Sequence, residues 1–238
     1  MADRTNAYGQ PIGAPVPDWT ARRRPARAPL GGRYCRLEPV SVERHGRELF
    51  ESYMQAPDDR DWTYLFSARP PDVESFRNYL LQLEKSEDPL HFSIIDLANG
   101  VAVGTAALMR IEPAHGVIEV GSITYSPRLK HTRAGTEAIY LFMRLAFDEL
   151  GYRRFEWKCD SLNGPSRRAA QRYGFTFEGI FRQAVVYKGR NRHTAWFSII
   201  DREWPRLKER YTRWLDPANF DADGRQRMSL GALLGADA

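Results

Sequence analysis

Between Leu90 and Gly151 the chain is punctuated in a way that admits few folds. Leu90–Leu97 is an apolar run that stops at Asn99-Gly100, a pair whose easy access to positive φ suits a tight hairpin turn. Val101–Ile111 follows, with Val101, Val103, Thr105, Ala107, Met109 and Ile111 at alternate positions, the period that puts side chains on one face of a strand. Pro113–Gly116 turns the chain into a third strand, Val117–Tyr125. A basic loop, Ser126–Gly135, comes next, and then a helix in which Ile139, Phe142, Met143, Ala146, Phe147 and Leu150 recur at helical spacing. Gly151 stands where a helix end needs a left-handed residue. The pattern predicts an antiparallel meander whose last strand feeds a long amphipathic helix.

The flanks extend this frame. Arg33–Pro39 alternates as a first strand. Ser41 is placed to cap a helix running to Met54, with Leu49, Phe50 and Tyr53 on one side, and Asp72 to cap a second with Val73, Phe76, Tyr79, Leu80 and Leu83 in register. Arg154–Cys159 reads as a strand and Pro165–Tyr173 as a short helix. Phe175–Tyr187 and Thr194–Ile200 read as a hairpin around Lys188-Gly189-Arg190-Asn191, and Trp204–Leu215 as a last helix. The order β–α–α–β–β–β–α–β–α–β–β predicts an α/β (α+β) chain, a mixed sheet flanked by helices. Residues 1–31, rich in Pro, Gly and Arg, read as an extended arm that Trp19 can anchor. Residues 32–205 form the globular unit, and 206–238 a helix and weakly patterned tail.

Bulk properties narrow the classes. Hydrophobic residues are 42% of the 238, enough for a substantial core, and no run reaches the 18 or so apolar residues of a membrane helix. Met1–Gln10 lacks an apolar signal core, so the expectation is a cytoplasmic protein without a membrane partner. Two cysteines, Cys35 and Cys159, have no metal-ligand spacing, so no metal is expected. The net charge is +5, but acids are interleaved with the arginines, which weighs against nucleic acid as a partner.

The chemistry is expected around the basic loop. A helix N-terminus offers unpaired N–H groups and partial positive charge to a phosphate, and here Lys130, His131 and Arg133 stand beside one. A charged strand-to-helix loop with no ligand is the ordinary alternative. Lys130-His131-Thr132-Arg133-Ala134-Gly135 resembles the [Gln/Arg]-x-x-Gly-x-[Gly/Ala] pyrophosphate loop of the GNAT superfamily, with Lys130 for the Gln or Arg, Arg133 for the first Gly, and Gly135 in the last position. Asn163-x-x-Ser166, Arg172-Tyr173-Gly174-Phe175 and Glu178-Gly179 resemble the signature of its ribosomal-protein-acetyltransferase-like members. Arg154–Cys159 resembles the fifth strand. Arg182-Gln183, Lys188-Gly189 and Trp196-Phe197-Ser198 with Asp201 resemble the closing hairpin. The likeness spans roughly residues 33–205.

The resemblance implies a mostly antiparallel sheet of about seven strands whose fourth and fifth strands splay apart around acetyl-CoA. It also implies an N-acetyltransferase in which a primary amine of a small molecule or peptide attacks directly, without an acyl-enzyme. A strand N–H near Ile123 or Thr124 would polarise the thioester. Tyr125, Lys130, His131, Thr132, Arg133, Ala134, Gly135, Thr136, Asn163, Ser166 and Arg167 would complete the cofactor site. The Tyr that many members place seven residues after the Asn is Ala170 here, so Ser166 is the candidate donor to the leaving thiolate. Helix capping is the ordinary role for Ser166 and for Asn163 alike. Glu119 is the candidate base, provided that it is buried rather than on a solvated strand face. His193 and Asp160 are weaker candidates. Trp62, Tyr64, Phe66, Tyr79, Tyr187 and Trp196 would line an acceptor cleft or belong to the core, and Asp58, Asp59 and Asp61 would form an acidic cluster or a solvated loop. The fold so implied also allows a homodimer. The competing readings are an inactive acyl-CoA-binding sensor and, further off, a nucleic-acid-binding protein.

Overall fold

Capping and periodicity place the elements in the computed structural model, which describes residues 4–235. Residues 1–3 and 236–238, the ends of the expected arm and tail, lie outside the described residues. A two-residue pair, β1 (Arg4–Thr5) with β2 (Pro11–Ile12), begins the arm. Then come β3 (Leu30–Gly31), β4 (Cys35–Pro39), α1 (Val42–Met54) and α2 (Val73–Lys85). Ser41 caps α1 by accepting from the Arg44 N–H, and Asp72 caps α2 by accepting from Ser75. The meander is β5 (Leu90–Asp96), β6 (Val101–Glu112) and β7 (Val117–Tyr125). It leads to α3 (Arg133–Arg144), β8 (Arg154–Asp160), α4 (Gly164–Arg172), β9 (Thr176–Tyr187), β10 (Arg190–Ile200), α5 (Trp204–Leu215) and α6 (Leu230–Gly235).

One sheet of eight strands runs β3-β4-β5-β6-β7-β8-β10-β9. Every neighbouring pair in it is antiparallel except β7 with β8. The strand beyond the expected seven is β3, too short to carry a period. On one face, α3 and α5 enclose the larger core, including Phe92, Phe142, Phe155, Phe197 and Tyr211. On the other, α1 and α2 enclose Leu49, Tyr53, Trp62, Phe76 and Leu80 against Ile95 and Ala102.

Several sequence expectations are corrected by this packing. In β6 every residue from Ala102 to Leu108 is buried, so there is no single apolar face. Helices cover both faces of this central strand, and it is bulged twice. The loop after β7 ends at Thr132, not Gly135: Thr132 caps α3, and Gly135 sits inside its first turn. α3 continues through a wider π-helical turn, Leu145–Glu149, before Gly151 at φ +67°. β10 starts at Arg190 rather than Thr194, because the turn is the two-residue Lys188-Gly189, both left-handed (φ 50° and 68°). Trp19 does anchor the arm. Its indole donates to Ala114 O at 2.8 Å, and its ring packs over Gly116 between the guanidinium groups of Arg22 and Arg153.

Candidate functional site

The parallel seam is short. β7 and β8 pair only from Val117↔Arg154 to Val120↔Trp157. Beyond that row β7 follows β6 to Tyr125, β8 follows β10 to Asp160, and a V opens between them. Its cause is local. In β7, Gly121 pairs with Ala107 and Thr124 with Thr105, so Ser122 and Ile123 together oppose Ala106, and Ser122 is forced to φ +49°. Such a bulge bends a strand and re-aims its edge. Tyr53 fixes the far side, its hydroxyl donating to Thr124 O at 3.1 Å and lying 3.1 Å from the Thr105 hydroxyl.

The mouth of the V carries the starts of α3 and α4. In the loop before α3, Ser126 O accepts from the N–H groups of Leu129 and Lys130, and Leu129 is buried beneath the turn. Space here is exhausted: a Cβ on Gly135 would stand 2.7 Å from Leu129 O, and one on Gly104 2.6 Å from the Leu129 side chain. Thr132 Oγ1 accepts from the Gly135 N–H at 3.0 Å, while the N–H groups of Arg133 and Ala134 have no partner among the described residues. Together with the exposed His131, left-handed at φ 60°, they form a cradle of donors that fits a pyrophosphate. Two of the cations singled out by sequence face elsewhere. Lys130 pairs with Asp61 at 2.5 Å. Arg133 stacks between the rings of Tyr34 and Phe220, 4.8 and 4.6 Å from their centres. Thr136 accepts from the Arg172 guanidinium at 3.1 Å, and the Tyr125 hydroxyl donates to Gly135 O at 2.8 Å.

Across the V, Asn163 caps α4, its Oδ1 accepting from the Ser166 N–H at 3.1 Å. Ser166 Oγ accepts from Trp157 Nε1 at 3.0 Å, which leaves the hydroxyl proton able to donate. The Cys159 thiol lies beside it, and burial pushes that thiol above its ordinary range. Arg167 donates to Ser161 O at 3.2 Å and lies over the Phe177 ring. Ala170 is fully buried.

Glu119 is buried, not on a solvated strand face. Its carboxylate is 3.0 Å from both Lys158 Nζ and Arg110 Nε. Lys158, itself buried, also pairs with Glu156 at 2.5 Å under the Trp196 ring. Arg154 extends the network to Glu156 and to Glu178, which accepts from Ser198. Burial raises the Glu119 pKa, Lys158 and Arg110 oppose that rise, and Glu156 reinforces it. Sequence reasoning passed over these partners. The alternation of Arg154, Glu156 and Lys158 against Phe155, Trp157 and Cys159 was the available signal.

The remaining candidates have defined partners. Asp160 is buried and accepts from the Tyr187 hydroxyl at 2.8 Å and the Leu162 N–H at 2.9 Å. His193 Nδ1 accepts from the Gln183 N–H. Asp58, Asp59 and Asp61 pair with Arg60, Arg69 and Lys130, so they do not form a free acidic cluster. Of the aromatic residues, Trp62 and Tyr79 belong to the smaller core, Tyr64 donates to Leu162 O, and Trp196 stacks on Phe181. Phe66 and Tyr187 meet above Arg192, a buried residue that the sequence did not single out. Two open cavities, about 520 Å³ beside Arg27, Arg36 and Arg44 and about 680 Å³ beside Phe181, Arg182 and His193, hold none of the V-lining residues. Among the described residues no cluster of His, Cys, Asp or Glu could hold a metal ion, and no helix is long and apolar enough to cross a membrane.

Comparison with known proteins agrees with this geometry. A crystal structure of a GCN5-related N-acetyltransferase from Brucella melitensis is 51% identical, covers 92% of this chain and 99% of its own, and superposes with a TM-score of 0.90. A probable acetyltransferase of the GNAT family from Chromobacterium violaceum is 37% identical, covers 82% and 98%, and has a TM-score of 0.75. A probable N-acetyltransferase of Bacillus subtilis is 30% identical over 154 residues, 64% of this chain and 81% of the relative. The model of the acetyltransferase (GNAT) domain family matches residues 35–176, and the chain belongs to that family.

Proposed function

We propose that this acetyltransferase moves an acetyl group from acetyl-CoA to a primary amine by direct attack within a ternary complex. One observation carries the reading: the V between β7 and β8 opens beside a helix start whose Arg133 and Ala134 N–H groups meet no acceptor among the described residues. In this reading those donors hold the pyrophosphate, and the N–H of Ile123 or Thr124 past the bulge steadies the thioester oxygen as it gains charge. The amine nitrogen bonds to the carbonyl carbon, the C–S bond breaks, and its electron pair leaves with sulfur. Glu119, four residues before Ile123 on the same strand, takes the amine proton through water. Ser166 donates its hydroxyl proton towards the thiolate. The motifs Asn163-x-x-Ser166 and Glu178-Gly179 support a ribosomal-protein-acetyltransferase-like reading, with a small-molecule or peptide amine as the acceptor.

Calorimetry with acetyl-CoA tests the reading, comparing the wild type with His131→Asp, which keeps a residue tolerant of left-handed backbone but adds a negative charge to the cradle. Micromolar binding that the variant weakens at least tenfold, together with thiol release on adding amines, is the expected result. Absence of binding by the folded wild type overturns it, and binding without turnover of any amine points to a sensor.

A further inference from the structure

Arg192 lies on β10 just beyond the pair Thr194↔Asp160, where β8 has ended. Only 8% of it is exposed. Its guanidinium is 5.3 Å from the Phe66 ring centre and 5.8 Å from that of Tyr187, and its Nε donates to the Thr194 hydroxyl at 3.2 Å. Among the described residues no carboxylate lies within the 4.0 Å of an ion pair. Asp160, on the neighbouring strand, already accepts from Tyr187 and Leu162. The cations next to it in the sheet differ: Lys158, whose side chain is buried, pairs with Glu119 and Glu156, and half-buried Arg154 shares Glu156 and adds Glu178. A guanidinium does not escape burial by losing its proton, and a buried charge without a counter-charge is unfavourable. Two rings and one neutral acceptor leave most of its planar donor fork for something else.

The position is informative. Lys158, Asp160, Thr194 and Trp196 are paired across β8 and β10 (Asp160↔Thr194, Lys158↔Trp196), and the Nε bond to Thr194 puts Arg192 on their face although the register of β10 against β9 shifts between those two residues. Glu119 joins that face through its bond to Lys158. From the end of β8 at the V, Arg192 is about two residues (~6.6 Å) along β10 and one strand spacing (~4.8 Å) across. That diagonal, about 8 Å, exceeds the ~3.3–3.6 Å of one residue, so an extended dipeptide or an ω-amino acid fits it between nitrogen and carboxylate, with the Arg192 side chain closing the remainder.

We propose that Arg192 is the anion clamp of the acceptor site, and that the acceptor is a primary amine carrying a carboxylate a few bonds from its nitrogen. The inference rests on the acetyl-transfer reading and adds the substrate class. Phe66, exposed and seated against Tyr187, covers the clamp from the solvent side.

The test compares L-amino acids, dipeptides and ω-amino acids with their carboxamides and with aminoalkyl phosphates. Thiol release from acetyl-CoA is one readout. Calorimetric binding of the N-acetyl acids and N-acetyl amides, with and without CoA, is the other. A good acid is expected to exceed its amide by tenfold to about a hundredfold in kcat/KM or Kd, the span typical of hydrogen bonds to charged groups. In Arg192→Gln this ratio falls towards one, chiefly through KM, and Arg192→Lys retains part of it. Phosphates that outperform carboxylates would move the class to phosphate esters and overturn the carboxylate assignment. Equality of acids and amides for the wild type in both readouts overturns the clamp, whatever the variants do, and so does an Arg192→Gln variant whose only loss is acetyl-CoA affinity. If acetyl-CoA does not bind, the transfer reading falls, while preference of the free protein for acids over amides still decides the clamp.

Discussion

Glu119 is held where its charge is opposed by burial and by Glu156, and supported only by Lys158 and Arg110. The sign follows for catalysis. The base form is the carboxylate, so activity rises as pH climbs through a pKa above the ordinary value of about 4.3 for a Glu. The acid limb of kcat/KM is therefore expected at higher pH than for a free carboxylate. Glu119→Gln should remove that limb and lower kcat by roughly 10²- to 10⁴-fold, whereas a variant that keeps the limb exonerates Glu119. His91 makes a separate prediction. Burial first, and then Arg27, hold its pKa down to about 4, and its Nδ1 has no partner among the described residues. The unfolded chain takes up that proton at its ordinary pKa of about 6.5, so the stabilisation is full above that pH and drains away as pH falls towards 4. In full it is on the order of 3 kcal/mol. Melting temperature against pH should fall across this window for the wild type and less steeply for His91→Gln.

At the scale of elements, α3 ties the molecule together by its one acid as much as by its apolar face. Buried Glu137 accepts from three successive backbone N–H groups, Arg33 at 2.8 Å, Tyr34 at 2.6 Å and Cys35 at 2.8 Å. It thereby closes the turn between β3 and β4 over the helix. Glu137→Ala strands three donors, at roughly 1–3 kcal/mol each before relaxation. A fall of about 10 °C or more in melting temperature is expected, with amide exchange accelerated first at residues 33–35. Unaltered protection there would refute the clamp. The helices themselves were legible because caps and periods are local: Ser41, Asp72 and Gly151 sit where the chain order alone places them. The bulge at Ser122 was not legible, since it depends on how β7 registers against β6, and neither strand carries that alone.

Across the whole molecule, the two ends of the described chain return to the central sheet and its covering helices. The arm lies against the Ala114–Gly116 turn through Trp19 and against the end of α2 through Arg27. Past α5, Phe220, Leu230 and Leu233 enter the larger core, and Phe220 shares Arg133 with Tyr34. Truncation after Asp216 removes three buried apolar side chains of about 1.5–3 kcal/mol each. It should cost roughly 5 kcal/mol, seen as earlier thermal unfolding; an unchanged melt would show the tail to be dispensable. The sequence by itself determined the order of elements, the meander, the loop-to-helix junction and the family likeness, because periodicity, capping and turn chemistry act within a few residues. Tertiary structure alone decided what each charge does. Lys130 turns to Asp61, Arg133 to two rings, Glu119 to Lys158, and Arg192 is left buried with no carboxylate partner among the described residues. Those partners are tens of residues apart, and burial is a property of the assembled sheet and its covering helices rather than of any local pattern.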